Sequence, residues 1–541
     1  MSRRLLLIVI LSGGFIPPAQ AKTVYRPGDW VSYSNFRYVN AIAADQRYAY
    51  FATTGGISRY NLFTNTWAEP FTTSDGLPDN RVRVVAVDPL FNELWCATRA
   101  GVSRYNSTTE TWTTYTSGGG LFLDDVHSIG VSEDGLILFA TQNGTAQFDR
   151  RSEMWQIGGL TSRFGGGSSP VRWYGAQGQA GYRYPTFITD FEYIFTPPEF
   201  IQDRFFRTYR LTSFFEDTFA NLWIGTWGLN VGKASLRSLR LTFLRTGLVS
   251  QNVTALSRDG DDLWFGSTAD VQDDGGITRL NRRTGEWTYF EPRSTDGLRS
   301  GTISAIVSDT AAIWFGTADG LVWYDKDAND WTTLPTRPLT SRNVTALALS
   351  DTTLWVGTAA GINRMNRRTR TILPVPQPAL RDLRVYDLAV DADQAVWVGT
   401  DRGVYRRTAD GVWKKIEDPN SGQLNGAVFG VAMDSLFIWF GTPSTLARFN
   451  RADGTWNQWL LPVGTGSGRL RLSVSDRAVW LGSRGGAVKF DKRRETWTVY
   501  TTKDGLLDET VQAILLDGDY IWFGTQAGVT RFHWNDPSRL E

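Results

Sequence analysis

The sequence predicts an all-β protein, a β-propeller of about 11–12 four-stranded blades in two rings, closed by pairing an N-terminal strand with the C-terminal blade. Three observations predict it. A unit of about 42 residues recurs along most of the chain. Each unit holds four short stretches alternating apolar and polar residues, the pattern of half-buried strands. No segment carries the 3.6-residue apolar period of a helix. Four strands in every repeat of about 40–50 residues is the signature of propeller blades.

The second strand of each unit is its anchor. It reads Leu-Trp-x-Gly-Thr, then two variable residues, Gly, an apolar residue, x, Arg, an aromatic or apolar residue, and Asn or Asp, as in residues 313–325 and 354–366. The anchor tryptophans are Trp95, Trp223, Trp264, Trp314, Trp355, Trp397, Trp439, Trp480 and Trp522. Tyr50 and Leu138 hold that place in two weaker copies, which makes eleven units. From Trp314 onward the spacing is 41 or 42 residues. Large rings at fixed repeat positions read as core between neighbouring blades rather than as a carbohydrate platform, each worth about 1.5–3 kcal/mol when fully buried.

The other strands follow from their places in the blade. The first is small and apolar, as in residues 343–349, because it lies nearest the axis. The Gly after the anchor lets the next blade approach closely, and the second Gly opens the third strand through a tight turn. The third-strand arginines (Arg59, Arg104, Arg279, Arg364, Arg448 and Arg531) read as structural, paired with a carboxylate or stacked on a ring. The outer strand carries a further tryptophan, at Trp67, Trp112, Trp155, Trp287, Trp331, Trp413, Trp456 and Trp497.

Composition narrows the function. In 541 residues, Lys and Arg number 56 and Asp and Glu 55, so no basic excess points to nucleic acid or an anionic membrane surface. Arg3 and Arg4, an apolar run over residues 5–11 and Ala19-Gln20-Ala21 read as an export signal cleaved after Ala21. The apolar run is too short to span a bilayer, no Cys follows it for a lipid anchor, and no later segment reads as an integral span. A periplasmic or secreted location is therefore expected. The single cysteine, Cys96, sits at an anchor position and reads as a buried apolar residue.

These residues resemble the two-component-regulator propeller repeat. Its pattern appears in residues 94–106, Trp112-Thr113-Thr114-Tyr115, Asp75-Gly76-Leu77 and residues 82–85, with the Asp-Gly-Leu turn again at Asp296 and Asp504. The resemblance covers most of residues 28–533. It implies a periplasmic sensor-type propeller that recognises carbohydrate or another environmental ligand. No kinase, phosphoreceiver or DNA-binding segment is present after the repeats here, so the binding-scaffold role is the part expected to carry over. A shorter resemblance, in residues 30–33 and 39–59, is to propeller proteins associated with type IX secretion.

Between Trp155 and Trp223 the period fails. Residues 165–170 read as a loop, Trp173-Tyr174-Gly175 as a decayed anchor, and residues 187–195 as a strand pair. The stretch 156–250 is read as a degenerate blade, an insertion or a crossover between rings. Five aromatics within it, Phe205, Phe206, Tyr209, Phe214 and Phe215, are read equally as core or as partner contacts. At the ends, residues 28–33 match an outer fourth strand, and residues 511–532 supply strands one to three with no fourth. The two ends are complementary parts of one blade, which places residues 29–33 beside 528–532. With two rings, this closure requires one ring built from both chain ends and the other inserted between them.

No cofactor is expected. The two histidines, His127 and His533, lie far apart, and no metal-ligand spacing, nucleophile elbow or phosphate loop occurs. Asp259-Gly260-Asp261-Asp262 and residues 270–274 read as solvated turns. The leading expectation is a non-catalytic propeller binding a carbohydrate or an envelope protein. The alternatives are a polysaccharide lyase or hydrolase on the same scaffold, and an envelope assembly or secretion-associated factor. The candidate binding surface is the variable pair after the anchor: Arg99, Gln142, Asn143, Trp227, Asp319, Asp401, Arg402, Arg484 and Gln526.

Overall fold

In a computed structural model, residues 25–537 are described, apart from 119–122, 158–169, 177–181, 191, 198–199, 270–273, 376, 418–421 and 463–469. The export segment, the loop at 165–169 and most of the acidic stretch 270–274 lie outside the described residues. The described strands form eleven antiparallel sheets. Nine have four strands, one has five and one has six. No described helix is long and apolar enough to cross a membrane.

Seven sheets follow one another around a large ring: residues 253–290, 303–333, 344–374, 385–416, 430–460, 471–500, and 511–533 completed by Trp30–Tyr33. The anchor glycines show the succession. A Cβ at Gly266 would meet Ile303 of the next blade, one at Gly316 would meet Val344, and so on to Gly524, where it would lie 2.9 Å from Val253 of the first blade. Hydroxyls stitch neighbouring first strands: Thr254 donates to Ile303 O, Ser304 to Val344 O and Thr345 to Val385 O. Gly524→Ala should therefore overpack the junction of the seventh and first blades, with a loss of about 1–3 kcal/mol in a denaturant titration. An unchanged midpoint would show that this approach has room to spare.

The anchor tryptophans are core. Trp95, Trp223, Trp264, Trp314, Trp397, Trp439 and Trp480 are fully buried. Several tie their indole to an aspartate in the preceding hairpin: Trp314 to Asp309, Trp397 to Asp391, Trp439 to Asp434 and Trp522 to Asp517. Tyr50 makes the same bond through its hydroxyl to Asp45 (2.8 Å), which explains how tyrosine replaces tryptophan there. Three of these carboxylates also hold a cation from the following blade: Asp309 holds Arg367, Asp434 holds Lys492 and Asp517 holds Arg282. Most third-strand arginines stack as expected, Arg59 on Phe71 at 3.8 Å and Arg448 on Trp459 at 5.1 Å. Cys96 is buried, and burial pushes its thiol up to about 12.

Four sheets make the small ring: residues 39–71, 84–115, 128–157 and 208–244, with the first strand of 39–71 against those of 84–115 and 208–244, that of 84–115 against that of 128–157, and the strand Val171–Gly175 reaching the fourth blade through Tyr174 and Phe215. Here three of the four anchor glycines are alanines, Ala52, Ala97 and Ala140. A methyl group thus stands at three of the four junction positions of this ring where the large ring has glycine.

The irregular stretch folds differently from its sequence reading. Trp173-Tyr174-Gly175 is no decayed anchor. It belongs to Val171–Gly175, a fifth strand pairing with the first strand of the third blade, Ser128–Ser132. This strand also contacts the first strands of blades one and two. Tyr174 stacks on Phe215 of blade four at 6.2 Å, so the strand fills the space on the axis. Residues 187–195 are not one strand pair. Ile188 makes an isolated bridge to Arg240, whereas Tyr193–Thr196 pairs with Phe200–Asp203, adding two strands to blade four. Of the five aromatics, Tyr209 and Phe215 are buried, while Phe206 is 82% exposed.

The chain ends meet in one sheet. Trp30 pairs with Phe532, Val31 with Arg531, Ser32 with Thr530 and Tyr33 with Val529. The large ring is thus built from both ends and the small ring is inserted after Tyr33. The chain crosses between rings at residues 34–38 and 245–252.

Candidate functional site

The hairpin residues predicted as a binding surface are divided between the rings. Arg99, Gln142, Asn143 and Trp227 lie on the small ring; Asp319, Asp401, Arg402, Arg484 and Gln526 lie on the large one. Arg99, Gln142, Asn143, Arg402, Arg484 and Gln526 are exposed. Two of the others serve their own loops: Asp401 accepts from Arg384 N (3.0 Å) and Asp319 faces Arg342 at 3.7 Å. Trp227 lies edge-on to Tyr38 at 5.1 Å, beside the crossover. None of the nine lines either of the two cavities described here.

The larger cavity is a cleft of about 450 Å³ where the closing strand meets the first two blades of the small ring. The small ring supplies Phe71, Tyr105 and Trp112, with Arg59, Glu69, Asp75 and Glu110. The large ring supplies Tyr25, Trp30 and Asp504. The rings form a connected wall: Phe71 lies 4.6 Å from Tyr105 and 5.3 Å from Trp112, and Tyr105 lies 5.0 Å from Trp112. Tyr25 packs edge-on against Trp30 at 5.6 Å. Tyr25, Tyr105 and Trp112 are half-buried.

Two Asp-Gly-Leu turns meet in this cleft, one from each ring, and both are built alike. Asp75 accepts from Thr72 N (2.9 Å) and Thr72 Oγ1 (3.2 Å); Asp504 accepts from Thr501 N (2.8 Å) and Thr501 Oγ1 (3.1 Å). Burial pushes the Asp75 carboxyl up to about 6, against its hydrogen bonds to Thr72. Two contacts lock the rings beside the cleft: Arg531 to Glu69 at 2.9 Å, and Ser32 Oγ to Ser74 Oγ at 2.6 Å. The cleft thus sets aromatic faces beside four carboxylates and the guanidinium groups of Arg26 and Arg59, which offers flat apolar contact together with polar anchoring points.

The chain shares the propeller fold of PorZ. That protein is an essential bacterial surface component of the type IX secretion system of Porphyromonas gingivalis; the likeness has a TM-score of 0.57 at 13% identity and covers 94% of this chain and 87% of that one. The chain is also similar to the extracellular domain of a hybrid two-component system protein of B. thetaiotaomicron, with a TM-score of 0.47, 16% identity and coverage of 95% and 83%. Histidine kinase P4 of Formosa agariphila is 24% identical over 326 residues, which is 55% of this chain and 23% of that protein. The chain thus spans about a quarter of the length of that curated relative, 23%. No protein-family model matches the chain. The two resemblances read from the repeat, to two-component-system propellers and to a type IX secretion propeller, are both represented among these neighbours.

The aromatic cleft escaped sequence reasoning. Its residues come from the N-terminal strand, the first two blades of the small ring and a turn near residue 504, hundreds of positions away, and Phe71, Tyr105 and Trp112 look like ordinary repeat residues. The Asp-Gly-Leu turns were the available signal. Closure also brings ligand atoms of Asp29, His533 and Asp536 within 4.8 Å of one another, a grouping invisible in sequence order.

Proposed function

We propose that this chain is an exported, non-catalytic propeller that binds a ligand as a sensor-like or scaffold module, with a carbohydrate held in the aromatic cleft between the rings. The observation that carries this reading is the wall of Tyr25, Trp30, Phe71, Tyr105 and Trp112 around a cavity of about 450 Å³ that also holds Arg59 and four carboxylates. Glycan-array binding followed by calorimetry tests it. Trp112→Ala and Arg59→Ala should each weaken binding at least about tenfold, the effect of removing one stacking or charged contact. The bound sugar should be recovered intact. Equal affinity in both variants would sink the cleft assignment. Arg402→Ala and Arg484→Ala test the exposed hairpin face in the same assay, because a ligand seated there loses affinity in these variants instead.

Two rivals have their own observations. Asp75, with a carboxyl near pH 6 in an aromatic cleft, is the feature that favours a polysaccharide hydrolase or lyase. Its bonded oxygen is engaged by Thr72, which favours a structural role instead. Product release lost in Asp75→Asn would overturn the non-catalytic reading. The likeness to PorZ extends over 94% of the chain, hence both rings, and this favours an envelope assembly or secretion-associated factor. Pull-down from envelope extracts, compared with glycan binding, separates that reading from the first.

A further inference from the structure

A second, smaller cavity of about 160 Å³ lies on another side of the ring junction, between blade four of the small ring and blade one of the large ring. Its charges are matched except at one place. Arg37 and Arg207 both bind Glu291, and Arg207 also binds Asp203 at 2.6 Å. Arg204 stacks on Phe205 at 4.8 Å, and Glu192 acts on Arg245 only through space, which leaves four guanidinium groups in the lining against three carboxylates. Arg245 is different. One guanidinium nitrogen donates to Tyr193 OH at 3.1 Å, and the group lies 5.7 Å from the Tyr289 ring centre. Among the described residues no carboxylate comes within ion-pair distance of it.

A guanidinium has five N–H donors in a rigid fork. Arg245 uses one of them on Tyr193, and the residue lines the cavity. We propose that this cavity binds the carboxylate of a small polar molecule, gripped bidentately by Arg245 with Tyr193 beside it. Three features fix the class. The unbalanced charge is a single positive one, which a monoanion neutralises and a phosphate dianion overshoots. The fork matches two coplanar carboxylate oxygens. The remaining lining, which includes Asn230 and Ser294, is polar and suits a hydroxylated or amide-bearing body. Tyr193 belongs to the small ring, Tyr289 and Glu291 to the large one, so an occupant touches both rings and holds them together. This site is separate from the aromatic cleft, and its test is independent of any sugar.

The probe is acetate, the bare group that Arg245 would hold. Thermal unfolding of the full chain is followed in sodium acetate, sodium phosphate and sodium chloride at equal ionic strength and pH 7. Acetate should raise the midpoint over chloride in a saturable way. That increment should vanish in Arg245→Gln and shrink in Tyr193→Phe, a variant that keeps the ring and removes only the hydroxyl. The proposal is overturned if wild type shows no increment, if both variants keep the full increment, or if phosphate gives the larger Arg245-dependent rise.

Discussion

Trp30→Ala is expected to remove about 3–5 kcal/mol of stability, the usual cost of truncating a fully packed tryptophan. Trp30 is 4% exposed and lies flat on Phe532, with ring centres 3.9 Å apart and planes 10° from parallel. Tyr25 and Tyr500 pack around it at 5.6 and 5.9 Å. The chain gives way to admit it: a Cβ at Gly505 would sit 2.5 Å from the Trp30 ring, so that turn approaches as only glycine allows. The loss is larger in consequence than a cavity elsewhere, because this side chain pins the strand that completes the seventh blade. Weakened, Trp30–Tyr33 frays and uncovers the Val529–His533 edge, an invitation to intermolecular pairing. A denaturant midpoint and a sedimentation profile together check this. A variant that melts like wild type and stays the same size would show that the large ring holds without its N-terminal strand.

Much of this architecture was legible because a repeat exposes its rules many times over. The anchor, with its Trp, Gly and Arg, identifies the blades, and the unmatched outer strand at residues 28–33 identifies where the ring closes. The partition into four and seven blades was not legible. Its one sequence trace is a single methyl group at Ala52, Ala97 and Ala140 where the large ring has glycine. Val171–Gly175 was misread for a related reason. Trp173-Tyr174-Gly175 matches an anchor in composition, but a strand on the axis of a narrow ring also needs a bulky ring, here Tyr174 against Phe215, and a glycine where the chain is crowded. The charged junction between rings was out of reach altogether, since Arg37, Arg207, Arg245 and Glu291 have no repeat equivalents and meet only after both rings have formed.

Glu291→Gln should cost about 3–5 kcal/mol at neutral pH, the penalty for breaking a buried ion pair by removing one partner. Glu291 holds two guanidinium groups from the other side of the junction, Arg37 through Oε1 at 2.9 Å and Arg207 through Oε2 at 3.0 Å. Arg37 is further fixed by Gly228 O at 2.8 Å and Val249 O, so it has little freedom to swing out to water once its carboxylate is gone. The pH dependence distinguishes this from a packing defect. Burial works to raise the Glu291 carboxyl, but Arg37 and Arg207 outweigh it and hold the group below its ordinary value. A carboxyl depressed in the folded state binds its proton more tightly in the unfolded chain, where its value is about 4.3. Its contribution is therefore complete above that value and is lost as pH falls through the lower, folded one. The stability gap between wild type and Glu291→Gln should be full at pH 7 and shrink progressively below about pH 4.3. Chemical denaturation of both proteins from pH 7 down to the onset of acid unfolding measures it. A gap that is absent at pH 7, or that stays constant as the carboxylate is titrated, would remove Glu291 as the electrostatic clasp between the rings.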